Sequence, residues 1–179
     1  MPTSDQDLAL SAESAASKLS LPQPSLALDF RISVKLNPKI SVGSGPWGVR
    51  NWISFTGGEW SATWAKGTVV SGGQDSQIVL PESGHVFVDT SYLLQTDDKD
   101  PAYITIKTNG WRTGSKQVMD RLADPALADD VKPDEYSFRL SIRLETGDAR
   151  YKDKINTGLW IGSAARLGSE VVYDAYRVS

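Results

Sequence analysis

The side chains best equipped to act on a bound small molecule are Arg50, His85, Asp89, Tyr151 and Asn156. Asp89 lies in the middle of the apolar run HVFVDTSYLLQT, where a carboxylate either faces water or points inward at a polar partner. Pointing inward, it loses hydration, its pKa rises, and it becomes a general acid or base. Arg50, just before the first strand-like run that bears Trp, offers a planar fork of donors for a carboxylate or phenolate. Its other reading is a cation paired with Asp75 or Asp89 to neutralise a buried acid. His85 is the single histidine and has an unperturbed pKa near neutrality, although its place after Gly84 equally suits an exposed turn. Tyr151 and Asn156 can donate hydrogen bonds to a developing enolate or phenolate, or can pack and turn the chain at a barrel end. Trp52, Trp60, Trp64 and Trp160 can line a cavity and stack on an aromatic ligand, or form ordinary core.

Composition removes several chemistries. The 179 residues contain no cysteine and one histidine, which excludes thiolate catalysis, disulfides and multi-histidine metal clusters. Asp97, Asp98 and Asp100 lack the glycine and terminal Glu of a calcium loop and read as a solvated turn, so no metal and no cofactor is expected. There is no GxSxG, no GxGxxG and no phosphate loop with its lysine. With a net charge of −3 and both signs scattered, nucleic acid is not an expected partner. The N-terminus lacks a cationic start and apolar centre, and no run approaches the roughly 18 apolar residues of a membrane span, so the expectation is a cytoplasmic protein without a membrane partner.

The elements that must position these side chains are strands. Leu26, Leu28, Phe30, Ile32, Val34 and Leu36 alternate with polar residues, the mark of a half-buried strand. Further runs follow at 51–55, 59–70, 76–80, 85–96, 102–108, 136–144, 157–163 and 170–178, bounded by Gly, Pro, Asn or Asp. Residues 115–131 change to helical spacing, with Pro125 dividing the segment into two short pieces. Residues 1–24 read as a flexible tail, with Ser4 and Asp7 as candidate caps of a weak helix, and 25–179 as one domain. About nine strands with one broken helix favour an all-β, closed antiparallel barrel, because closure removes edges that would otherwise pair with other chains. Barrels of about eight strands can hold one small ligand. The pairs Gly57-Gly58 and Gly72-Gly73 read as turns or bulges.

The ordered blocks VGSGPWGVRNWISFTGGEW, GTVVSGGQD, VDTSYLLQTDD, ETGDARY, NTGLWIGSAAR and VVYDAYRV resemble a family of bacterial and fungal proteins, domain of unknown function 3237. The resemblance spans roughly residues 25 to 178 and implies a lipocalin- or calycin-like barrel. It carries onto Arg50, Gly57, Gly58, Gly67, Gly72, Asp75, Asp89, Tyr92, Asp98, Tyr151 and Asn156, which makes Asp75 and Tyr92 candidate ligand contacts. One departure stands at Tyr151-Lys152-Asp153-Lys154-Ile155-Asn156, where the family has a shorter segment with a Trp. Some fungal members resemble pathway proteins of secondary metabolism, where such barrels serve as cyclases or isomerases.

The functional expectation is a cofactor-independent isomerase or cyclase of a small aromatic or polyketide-like metabolite. Arg50 would anchor an anionic oxygen, Asp89 or His85 would move a proton, and Tyr151 and Asn156 would stabilise the enolate. The alternative is a carrier or sensor that binds a hydrophobic molecule unchanged. A homodimer through the barrel surface is a third role, without a specific sign in the sequence.

Overall fold

Residues Leu26–Leu36 form β1 over the full alternating run, with Phe30, Ile32 and Val34 buried and Arg31 and Lys35 exposed, as period-two patterning demands. The structure, a computed structural model, describes residues 14–179. The candidate caps Ser4 and Asp7 therefore lie outside the described residues, and Ala15–Lys18 form one short 3-10 turn. The remaining strands are β2 (Ile40–Gly45), β3 (Gly48–Ala62), β4 (Lys66–Val79), β5 (Val86–Thr96), β6 (Tyr103–Thr113), β7 (Ser137–Glu145), β8 (Trp160–Leu167) and β9 (Glu170–Val178).

All pairings are antiparallel. The sheet runs β1-β9-β8-β7-β6-β5-β4-β3, and β3 pairs back onto β1, so eight strands close a barrel as the sequence predicts. β2 is the extra strand. It continues along the edge of β3 where β1 leaves off, pairing Ile40 with Trp52, while β1 pairs Phe30 with Ala62 through Leu36 with Phe55.

Two sequence readings change here. Runs 51–55 and 59–70 are not separate strands: β3 continues unbroken through Gly57-Gly58, and a turn at 63–65 splits the second run instead. The glycine pair is a bulge. Gly58 has φ +142°, and a Cβ there would lie 2.0 Å from the Ser33 carbonyl oxygen, so only glycine lets β1 and β3 approach this closely. The bulge also switches which residues face in. Asn51, Ile53 and Phe55 point inward before it, and Trp60 does so after it.

The two barrel ends differ. At the lower end, indole groups fill the lumen: Trp160 is fully buried, and Phe30 meets its ring edge-on at 6.4 Å. Asp29 fixes this plug by accepting from Trp160 Nε1 at 2.8 Å, Trp64 Nε1 at 3.1 Å and Thr63 Oγ1 at 2.9 Å. The short helix α2 (Lys152–Ile155) closes that end with a fully buried Ile155. At the upper end, the predicted broken helix becomes α1 (Lys116–Ala123) followed by a 3-10 turn at Ala128–Asp130. Ser115 caps α1 by accepting from the Val118 N–H, and Met119 and Leu122 turn down over the barrel mouth. No helix among the described residues is long and apolar enough to cross a membrane.

Candidate functional site

Between the indole plug and α1 the lumen is hollow, with a volume of about 630 Å³. Strand pairing builds its wall in layers. Val79, Val86, Arg112 and Phe138 are successive cross-strand partners near the mouth, and Asp75, Thr90 and Thr108 form the layer midway down. The floor is a crossbar: Tyr92 on β5 and Tyr173 on β9 stand on opposite walls, and their hydroxyls hydrogen-bond across the lumen. Burial raises the pKa of both phenols, so they remain protonated. One hydroxyl hydrogen is used in the mutual bond. The other has no protein acceptor among the described residues, and both tyrosines line the cavity.

Asp75 is the buried acid of this lumen. Its Oδ1 accepts from the Asp89 backbone N–H at 3.0 Å, and its Oδ2 accepts from Gln77 Nε2 at 3.1 Å. Gln77 in turn accepts from Asn51 Nδ2 at 3.4 Å, so two amides are oriented one after the other by the carboxylate. Burial is the largest influence on Asp75 and raises its pKa. The two hydrogen bonds and the distant Arg112 charge oppose that rise without cancelling it. Thr90 and Thr108 join their hydroxyls at 2.7 Å beside it. Around these polar groups the lining is mostly aliphatic and aromatic, including Val34, Ile53, Phe55, Val88 and Leu140.

Arg112 is the half-buried cation near the mouth of this lumen. Its guanidinium lies 5.9 Å above the Phe138 ring, its Nε is buried without a partner, and it makes no ion pair among the described residues. Burial lowers its pKa from the usual guanidinium value, though an arginine remains charged at neutral pH.

Of the residues singled out from sequence, only Asp75 and Tyr92 line this cavity. Asp89 lies on the outer face of β5 and is exposed, because Val86, Val88 and Tyr92 occupy the inward parity; only its backbone N–H serves the site. Arg50 also faces out and donates to the Ser76 carbonyl at 3.1 Å and hydroxyl at 2.9 Å, neutralising neither Asp75 nor Asp89. His85 tethers the β4–β5 turn to the start of α1, its Nε2 lying 3.2 Å from the Gly114 carbonyl. Tyr151 sits at the opposite end of the barrel and donates to Asp98 Oδ2 at 2.7 Å, a bond that raises the phenol's pKa and lowers the acid's. Asn156 clamps Thr146 through two bonds of 2.9 Å to its backbone. The tryptophans are displaced as well. Trp52 is 40% exposed on the outer wall, Trp60 and Trp160 are core at the plugged end, and Trp64 borders a small lower cleft with Tyr151 and Asp98.

Asn51, Gln77, Thr90, Thr108, Arg112 and Tyr173 were missed. For β6 the signal was present: Ile104 and Ile106 mark the inward parity, and extending it by twos reaches Thr108, Gly110 and Arg112.

Fold and site together define a small closed β-barrel with an internal cavity that is apolar in bulk and, among the described residues, carries a buried acid and a half-buried guanidinium without an ion pair. Residues 24–178 match the family described as protein of unknown function (DUF3237), and the chain belongs to it. A UPF0311 protein of Rhodopseudomonas palustris strain TIE-1 is 32% identical over 149 residues, covering 83% of this chain and 93% of that protein. Among solved structures, a β-barrel-like protein from Acinetobacter baumannii AYE is 36% identical, with 89% of this chain and 99% of that chain covered and a TM-score of 0.75. A conserved protein of unknown function from Rhodopseudomonas palustris superimposes with a TM-score of 0.79 at 29% identity, covering 89% of this chain and all of that one. An enzyme from Penicillium herquei shares the fold at 19% identity, a TM-score of 0.62, and coverage of 89% and 98%.

Proposed function

We propose that the protein is an isomerase or cyclase that encloses a small aromatic or polyketide-like metabolite and rearranges it by proton transfer, with Asp75 taking the role that sequence reasoning gave to Asp89. The observation that carries this reading is a carboxyl buried in a largely apolar cavity, its pKa raised by that burial and its orientation held by Gln77 and the Asp89 N–H. That a barrel of this fold is an enzyme in Penicillium herquei makes catalysis compatible with the architecture.

The step balances without an oxidant. Ionised Asp75 removes a proton from a substrate hydroxyl, and the freed oxygen adds to an unsaturated carbon of the same molecule. The carboxylic acid so formed then returns its proton to the neighbouring carbon, and the product is an isomer of the substrate. The cavity wall contributes by holding the chain in the folded, reactive arrangement, and the unused hydroxyl hydrogen of the Tyr92–Tyr173 pair supports charge developing on oxygen at the floor.

The test is mass-neutral conversion. Purified protein is incubated with metabolite extracts and a panel of hydroxylated aromatic and polyketide-type compounds, and isobaric products are resolved by chromatography and mass spectrometry. Asp75→Asn is expected to slow conversion by about 10²- to 10⁴-fold, and Asp89→Asn to leave it within about twofold. Compounds that bind but are never converted would favour a carrier. Full turnover in Asp75→Asn would refute the assignment.

A further inference from the structure

Arg112 is half-buried, and among the described residues it is the one cation lining the cavity whose buried Nε has no hydrogen-bond partner. The others lining it are occupied or open to water. Lys116 pairs with Asp120 at 2.5 Å; Arg166 donates to the Gly168 carbonyl at 3.1 Å and the Leu122 carbonyl at 3.5 Å; Lys39 is exposed. Asp75 is close enough for its charge to be felt by Arg112, yet the two form no ion pair. A partly desolvated guanidinium with unused donors is costly to maintain, and among the described residues it has the Phe138 ring beside it but no hydrogen-bond acceptor.

We infer that the ligand supplies the missing partner: resting on the proposed function, the substrate is an organic acid whose planar carboxylate docks on the Arg112 fork at the upper end of the cavity. The guanidinium presents parallel N–H donors matched to two carboxylate oxygens, and Phe138 beneath it restricts how the fork can turn. Val86, Val88 and Leu140 then receive the apolar body of the molecule, which extends downward past Asp75 toward the tyrosine crossbar. The class is therefore an amphiphilic acid, entering with its hydrocarbon end first and its carboxylate beneath α1.

Equilibrium binding tests this without turnover. The probes are 2-naphthoate and its neutral isostere 2-naphthamide, titrated by calorimetry at pH 7 into the full-length protein and into Arg112→Gln, Arg112→Lys and Asp75→Asn, each checked for folding by circular dichroism. The parent is expected to prefer naphthoate by about tenfold or more, the loss of charge-assisted hydrogen bonds accounting for the difference. Arg112→Gln should abolish the preference while keeping naphthamide affinity within about twofold. Arg112→Lys, which keeps the charge but not the fork, should retain part of it and serves if the Gln variant does not fold. Equal affinity for the two probes, no binding of either, or a full preference surviving in Arg112→Gln or Arg112→Lys overturns the inference. The two readings fail separately: Asp75→Asn is expected to keep the naphthoate preference, so full turnover in that variant would sink the proton-transfer role while leaving the acid-binding role intact.

Discussion

Replacing Asp75 by Asn should raise stability relative to the parent progressively as pH increases. A carboxyl in water has a pKa of 3.8, and burial raises that of Asp75 in the folded state. Below 3.8 the acid is protonated in both states, and Asn is a close mimic of the neutral group. Above it the unfolded chain ionises freely while the folded carboxyl holds its proton, so the parent loses stability until pH passes the folded value. One proton is involved, which limits the slope to about 1.4 kcal/mol per pH unit. A second contribution is independent of pH. The new amide opposes Gln77 Nε2, donor against donor, where the acid had accepted at 3.1 Å, a loss of about 1 kcal/mol. It is reduced if the Gln77 and Asn51 amides turn over together. The assay is urea denaturation followed by Trp fluorescence at pH 4, 5, 6, 7 and 8, comparing unfolding free energies of parent and variant. Variant minus parent should rise as pH increases above 3.8 and level off once pH passes the folded value. A flat difference, or one that falls with pH, would mean that the Asp89 N–H, Gln77 and Arg112 stabilise the anion more than burial penalises it, and the proton-transfer assignment would lose its basis.

Two further substitutions probe the frame. Gly58→Ala adds a Cβ that meets the Ser33 carbonyl at 2.0 Å in a left-handed conformation, and should lower stability in thermal melts by about 2–4 kcal/mol through strain and forced separation of β1 and β3. Trp160→Phe removes the 2.8 Å bond to Asp29 and should cost about 2 kcal/mol in denaturant titrations, yet leave naphthoate affinity unchanged because the Tyr92–Tyr173 crossbar separates the plug from the cavity.

Most of the architecture was legible along the chain. The alternation in Leu26–Leu36 named the buried face of β1 correctly from Phe30 onward, whereas Leu26 and Leu28, ahead of the register shift against β9, are exposed; helical spacing with Pro125 as a break located α1 and the turn after it. The misread strands are those containing glycine pairs. A bulge and a turn share the same residues in one dimension, and they are told apart only by whether a neighbouring backbone lies against the glycine, as Ser33 does against Gly58. The outward facing of Asp89 was not legible for a related reason: both parities of β5 carry apolar residues, with Phe87 on its outer face packing against Trp111 at 5.1 Å, so hydrophobicity alone does not reveal the inside.

The sequence by itself determined that the chain would make strands, where nearly all of them lie, and that they would close on themselves, since period-two alternation and glycine or proline breaks are properties of neighbouring residues. Tertiary structure alone decided which chemistry shares a space. Asp75, Arg112, Tyr92 and Tyr173 come from four different strands and meet because closure and the bulge in β3 turn particular parities inward at one end of the barrel, while packing of the indoles at the other end sends Tyr151 away from them. Convergence of that kind depends on register between segments distant in sequence, and no local pattern encodes it.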